Sequence, residues 1–396
     1  MMKVLITTDW YKPAVNGVVT SVLNLCEGLQ KLGCEVRILT LSGDRHSRKE
    51  GNVTYIGSAG AGKIYPGARF MVTSGHKYIK DLENWCPDIV HSQCEFFTYF
   101  LAKRVSKACG CPIVHTYHTI YEDYTKYFCP NEKIGRFLAA VYSKMIIRTA
   151  DEVIVPTEKI RSILEYYGVA TPVAVVPSGL KLDQFGMADS AKTEDIKKRL
   201  GITGSEKVIV YLGRLAKEKN ISELLNYVGA QDDASLRLLI VGDGPYRRDL
   251  QEQAETHHIA DKVIFAGMVK PDEVADYYAL GRIFVSASQS ETQGLTYIEA
   301  MASGLPLLCR ADECLHGVVQ NGLTGYTYSS LDDFSSKLSM MLGNPDLTEH
   351  MGIRARDAVF GRYSEIEFAK GVLKVYIRAM IRNRMNSPAV PQSADL

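Results

Sequence analysis

Long apolar runs are missing from this chain of 396 residues: none approaches ~18 uncharged positions, so no helix is expected to span a bilayer. The opening MMKVLITTDWYKP has no apolar h-region and no small-residue cleavage site, so no signal peptide is expected. Nine cysteines are present, an odd number with no CxxC pair, which argues against a disulfide framework or a zinc ribbon and for thiols in a reducing cytosol. A global charge of one sign is absent too, with 46 Lys plus Arg against 45 Asp plus Glu, so nothing advertises nucleic acid. A hydrophobic fraction of 46% and a charged fraction of 23% exclude a disordered or fibrous chain.

Alternation of strand-like and helical patterns is what the sequence does have. Strands are expected at 4–9, 36–41, 89–92, 113–118, 153–157 and 173–177, with helices near 17–32, 69–84, 95–108, 133–149 and 157–167. After a polar, irregular stretch at 178–206, strands recur at 208–213, 236–242, 263–267, 283–287 and 305–309. Helices fit near 220–229, 245–258, 272–280, 294–303, 312–320, 330–343, 347–360 and 364–385. Such alternation makes parallel sheets, and in open α/β sheets ligands bind beyond the carboxyl ends of the strands. Two doubly wound domains facing across a cleft are expected, 1–177 and 178–369, followed by a helix over 370–385 and a disordered tail over 386–396. Charge is uneven: net +5 over 1–177, −8 over 178–369 and +4 over 370–396.

Two familiar nucleotide motifs fail. Gly57 to Lys63 matches a P-loop until its last position, where Ile64 has no oxygen for magnesium and a Tyr-Pro-Gly follows instead of a helix. The first strand–helix turn holds the single glycine Gly17, and Gly242-Asp-Gly244 lacks a third, so no dinucleotide fingerprint is complete.

Four segments look chemical. Asn16-Gly17 precedes the first helix, where backbone N–H groups can approach an anion. Arg214 and Lys219 lie beyond a strand's carboxyl end, one planar fork and one mobile ammonium suited to a diphosphate. Glu291 and Glu299 lie eight residues apart around Gly294, the first in a loop and the second on the second helical turn, each able to accept from sugar or ribose hydroxyls. His115 to Phe128 carries two histidines, Glu122, Asp123 and the aromatics Tyr117, Tyr121, Tyr124, Tyr127 and Phe128; His115 is expected to face the sheet packing and His118 the ligand side. Solvated surface charge remains the plainer alternative for any one of these taken alone.

Together the segments resemble the retaining glycosyltransferases of family 4, with the GT-B fold, from the first strand to about residue 385. The E-x7-E pair inside SETQGLTYIEAMASGLP is the strongest match, with GRLAKEKN and VGDGP in the same order. PAVNGVVTSV, HTYHTIYEDYTKYF and SETQGLTYIEA are similar to the bacterial 1,2-diacylglycerol 3-glucosyltransferase group within that family. The resemblance implies that Asn16 and Gly17 approach the donor diphosphate, which Arg214 and Lys219 bind. Glu291 would hold the sugar and Glu299 the ribose, with the amides of Gln293, Gly294 and Leu295 beside them and Met268 and Val269 at the base. His118 would lie at the reacting centre, and Tyr121, Glu122, Tyr124 and Tyr127 on the acceptor side. It implies a UDP-sugar donor, UDP-glucose first, no metal and no other cofactor, a diacylglycerol acceptor, and a GT-B C-terminal helix crossing back to the first domain.

A lipid acceptor requires a membrane surface. Lys133, Arg136, Lys144 and Arg148, set among apolar residues at 131–149, are the expected contacts with anionic lipid, with Lys370, Lys374, Arg378, Arg382 and Arg384 adding basic charge. The expected location is cytoplasmic, peripheral on the inner face of the plasma membrane. Another UDP-sugar, a soluble or polyprenyl-linked acceptor, or a nucleotide-sugar epimerase of the same fold are the alternatives.

Overall fold

The computed structural model describes residues 1–14, 16–60, 69–122 and 131–386. They divide into two units: Met1–Gly179 together with the stretch from Glu365 onward, and Leu180–Ser364. The chain therefore leaves the first unit at Gly179 and re-enters it at Glu365, where the sequence pattern placed the boundaries at 177/178 and 369/370.

In the first unit an eight-stranded sheet runs β10-β9-β8-β7-β1-β2-β4-β3. Its strands are β1 (Lys3–Thr8), β2 (Glu35–Leu41), β3 (Arg48–Glu50), β4 (Val53–Ile56), β7 (Ile89–Ser92), β8 (Ile113–Thr116), β9 (Glu152–Val155) and β10 (Val173–Val175). All neighbours are parallel except β3 and β4. A hairpin of β5 (Ser58–Gly60) and β6 (Arg69–Met71) stands apart. Its helices are α1 (Gly17–Lys31), α2 (His76–Trp85), α3 (Phe97–Cys109), α4 (Glu132–Ile147), α5 (Glu158–Tyr166) and the last helix, Glu365–Asn386. A helix expected over 69–84 starts as a short strand: Phe70 pairs with Ala59 across the hairpin, and α2 begins only after Gly75 turns left-handed at φ +55°.

Side chains of β1 alternate between two cores, as a strand buried on both faces must. Leu5 joins Leu39 and Val90 on one face; Val4 and Ile6 join Ile38 and Ile89 on the other. That second face is covered by α1 and by the last helix, whose Phe368, Val372, Val375, Tyr376 and Ala379 are buried there. Each large apolar side chain so buried stabilises the unit by ~1.5–3 kcal/mol.

The second unit holds a six-stranded parallel sheet in the order β13-β12-β11-β14-β15-β16. Its strands are β11 (Lys207–Leu212), β12 (Leu236–Val241), β13 (Val263–Gly267), β14 (Ile283–Ser286), β15 (Leu307–Arg310) and β16 (Gly325–Tyr328). Helices α6 (Ser190–Leu200), α7 (Ile221–Gly229), α8 (Arg247–Thr256), α9 (Val274–Tyr278), α10 (Leu295–Ala302), α11 (Leu331–Gly343) and α12 (Pro345–Phe360) complete it; the last helix of the chain is α13 (Glu365–Asn386). The helix expected over 312–320 is a single tight turn, Glu313–Leu315, capped by Asp312 and ended by Gly317 at φ +73°.

In both sheets the strand order reverses beside the first strand of the unit, at β7/β1 and at β11/β14. Loops leaving two adjacent strand ends diverge there, opening the crevice in which such sheets bind ligands.

Candidate functional site

At the second unit's reversal the loops after β11 and β14 meet. Lys219 Nζ lies 2.6 Å from Glu291 Oε1, and Ser290 Oγ donates to the carbonyl of Glu218 at 3.1 Å. Arg214 pairs with Glu218. The fold thus brings Arg214, Lys219 and Glu291 into one cluster and adds Glu218, whose role as the arginine's partner no motif announced.

Gly294 closes that loop and opens α10. Its φ is +74°, and a methyl group there would run into the ring of Tyr297. Glycine is therefore required twice over, by conformation and by space. Gln293 is buried and Leu295 begins the helix, so the amides of these residues sit at the positive end of the helix dipole. Glu299 lies on the second turn of α10 and accepts a hydrogen bond from Tyr278 Oη at 3.1 Å. Burial raises its carboxyl from 4.5 to about 7, against the lowering effect of that bond. Beyond β13, Met268 is 69% exposed, whereas Val269 packs against the core.

The reversal in the first unit is built alike. Asp9, just past β1, accepts from the backbone N–H groups of Phe97 and Thr98 at 3.1 and 2.8 Å and so caps α3; burial raises its carboxyl to about 6. Asn16 caps α1 by accepting from the Val19 N–H at 3.0 Å, and Gly17 is the first residue of that helix. Beyond β7 come Gln93, Cys94 and Glu95, all buried. Glu95 Oε1 lies 3.4 Å from His115 Nε2 in the interior. His118 is half-buried, with Nε2 2.7 Å from the Gln93 amide oxygen. Burial lowers its imidazole to about 4, with Glu95 opposing the shift and His115 adding to it.

Tyr121 packs edge-on against Tyr117 and Tyr142, with ring centroids 5.8 and 5.1 Å apart. Glu122 accepts from Tyr167 Oη at 2.7 Å and pairs with Arg136 at 3.5 Å. Asp123, Tyr124, Tyr127 and Phe128 lie outside the described residues, as do the end of the P-loop-like stretch and residues 387–396. Asp9, Gln93 and Glu95 escaped the sequence reading. Their signal was position alone, since each follows the carboxyl end of a strand next to the reversal.

Lys133, Arg136, Lys144 and Arg148 are all exposed on or at the end of α4. The basic residues of α13 are partly spent on structure. Arg378 donates twice to Glu152 Oε1, at 3.0 and 2.5 Å, and Arg382 donates to the Asp151 carbonyl at 3.1 Å. Among the described residues no group of three or more His, Cys, Asp or Glu could hold a metal ion, and no helix is long and apolar enough to cross a membrane.

The chain is similar to known proteins in sequence and in fold. The profile of glycosyl transferases group 1 matches residues 192–358, and that of glycosyltransferase family 4 matches residues 15–184. The chain is 32% identical to the alpha-monoglucosyldiacylglycerol synthase of Streptococcus pneumoniae, over 96% of this chain and 87% of that one. The chain belongs to glycosyltransferase family 4. A second alpha-monoglucosyldiacylglycerol synthase, from Acholeplasma laidlawii, is 30% identical over 96% of this chain and 98% of its own. Among solved structures, Anabaena HepE in complex with UDP and glucose superposes with a TM-score of 0.75 at 14% identity, covering 96% of this chain and all (100%) of that one. Sucrose-phosphate synthase from Thermosynechococcus elongatus gives 0.75 at 20%, with the same coverage, 96% and 100%. These establish the GT-B fold of this family 4 glycosyltransferase.

Proposed function

We propose that this glycosyltransferase is a hexosyltransferase moving glucose from UDP-glucose to the 3-hydroxyl of 1,2-diacylglycerol with retention, at a membrane surface. The observation that carries the donor side is the cluster of Arg214, Lys219 and Glu291 beside the N-terminus of α10. Arg214 and Lys219, each held by a carboxylate, present N–H donors beside the positive end of the α10 dipole, and these suit a departing diphosphate without calling on a metal ion. Glu291 accepts from sugar hydroxyls and Glu299 from the ribose. Lys219, held by Glu291, then stands where sugar and phosphate meet. With no carboxylate assigned as a covalent nucleophile, the reading favours front-face substitution, the leaving phosphate helping to deprotonate the acceptor. Asn16 and Gly17 are assigned to the diphosphate as well. His118 is assigned to the reacting centre, and Tyr121 and Glu122 to the acceptor.

The lipid acceptor is supported by the two relatives named for monoglucosyldiacylglycerol synthesis and by α4. Ile134, Phe137, Leu138, Val141 and Met145 are each about half exposed. Their spacing puts them in a stripe about 100° wide, with Lys133, Lys144 and Arg148 along one border. A helix with this pattern suits the headgroup boundary of an anionic bilayer.

Pure protein mixed with diacylglycerol in anionic vesicles and radiolabelled UDP-glucose tests the reading. Label should enter the organic phase only when diacylglycerol is present, and should fall by about two to three orders of magnitude with Glu291→Ala. Absence of organic label alongside UDP binding would overturn the lipid acceptor or the sugar and leave the donor site standing.

A further inference from the structure

We propose that Gln93 is a positioning residue that locks His118 as the Nε2–H tautomer and makes its Nδ1 the ring's hydrogen-bond acceptor. The inference rests on the reading that places His118 at the reacting centre. Its chemistry is read from side chains of the first unit.

Gln93 follows β7 and is 1% exposed. Its amide oxygen is 2.7 Å from His118 Nε2. An amide oxygen carries no proton, so the ring nitrogen must supply it. A neutral imidazole has one N–H, and Nδ1 then keeps its lone pair. The low imidazole pKa, set by burial, keeps the ring neutral near pH 7. The titratable groups acting on it are Glu95 and His115, and His91 lies behind Gln93.

The amide itself is braced. Its nitrogen lies 3.0 Å from His91 Nε2 and 3.3 Å from His91 Nδ1, so the N–H side lies across that ring and the oxygen is left to face His118. His91 is fully buried and held at both ring nitrogens, 2.7 Å from Tyr376 Oη and 2.7 Å from Thr116 Oγ1. Tyr376 belongs to α13, and its ring meets His91 edge-on with centroids 5.4 Å apart. The relay therefore runs from the closing helix, through His91 and Gln93, to the candidate reacting centre. An acceptor at Nδ1 suits a hydroxyl, of the sugar or of the lipid, and excludes His118 as a proton donor on that side.

Selective 15N-histidine labelling tests this without any turnover. Two-bond 1H–15N spectra at neutral pH distinguish the two neutral tautomers, and the His118 signals are identified by their loss in His118→Asn. The wild type is expected to show the Nε2–H pattern alone. Gln93→Leu is expected to show a mixture, with kcat down about tenfold and donor KM within about twofold. An Nδ1–H pattern in the wild type overturns the proposal, and so does an unchanged pattern in a folded Gln93→Leu. Should that variant not fold, the wild-type spectrum decides alone. The expected spectra in a protein that glycosylates no lipid would uphold the relay and sink the proposed acceptor.

Discussion

Lys219 and Glu291 stand 72 residues apart in sequence and form an ion pair of 2.6 Å. The pair joins the loops of two strands that flank the point where the second sheet reverses its order. Each residue holds the other's charge in place, so under the proposed function neither side chain would need reorganising when a diphosphate binds.

Removing either partner should therefore cost more than its own contact. Lys219→Ala and Glu291→Ala are each expected to lower kcat/KM by ~10²–10³. The double variant should lose less than the product of the two, because both singles break one shared interaction. Initial rates of label transfer for the four proteins check this; fully multiplicative losses would refute the coupling.

Glu299 should make stability depend on pH with a definite sign. Burial raises its carboxyl from 4.5 to about 7. Between those values the folded chain binds more protons than the unfolded one, so the stabilising contribution is complete below the lower value and lost as pH rises through the upper. Glu299→Gln should gain on the wild type in melting temperature between about pH 5 and about pH 8. A constant difference across that range would be the contrary result.

Under the proposed function, Arg214, Lys219 and the end of α10 meet the diphosphate with no metal ion. Transfer should accordingly persist in excess EDTA, with added magnesium changing the rate by less than about twofold, whereas magnesium-dependent sites lose most of their activity on chelation. Rates measured with and without each reagent decide the point.

The stripe on α4 should set membrane retention. Phe137→Ser combined with Leu138→Ser removes two half-exposed apolar side chains. Vesicle affinity should fall about tenfold or more, in keeping with the apolar area lost. Sedimentation with anionic vesicles measures it. High salt should weaken the wild type through Lys133, Lys144 and Arg148 but leave the apolar part of the affinity in place.

Strands such as VIVYL, and LRLLIV apart from Arg237, were legible because burial on both faces makes them runs of apolar residues. Arg214, Lys219 and Glu291 were legible as candidates because they lie in the loops that follow such strands. What escaped was decided across distance. Phe70 and Met71 joined α2 in a helical pattern, and only pairing with Ser58 and Ala59 makes them a strand. The Arg378–Glu152 pair spans 226 residues, so the basic run on α13 looked freer than it is. Gln93 sits in HSQCE, where nothing local shows that one side of its amide faces His118 and the other a histidine tied to Tyr376, 285 positions away.

Where α13 passes α1, Gly28 lies against the Glu365 carbonyl and Ala369, too close for any side chain at position 28. This seam has a consequence for synthesis. At ~5–20 residues per second, the ribosome spends on the order of 10–40 s between Gly179 and the end of α13. Throughout that interval Val4, Ile6, Val22 and Leu25 lack the helix that covers them. The second unit, continuous in sequence, completes first although it is made second. A released chain ending at Ser364 should present a protease-resistant second unit joined to a first unit that is still cut.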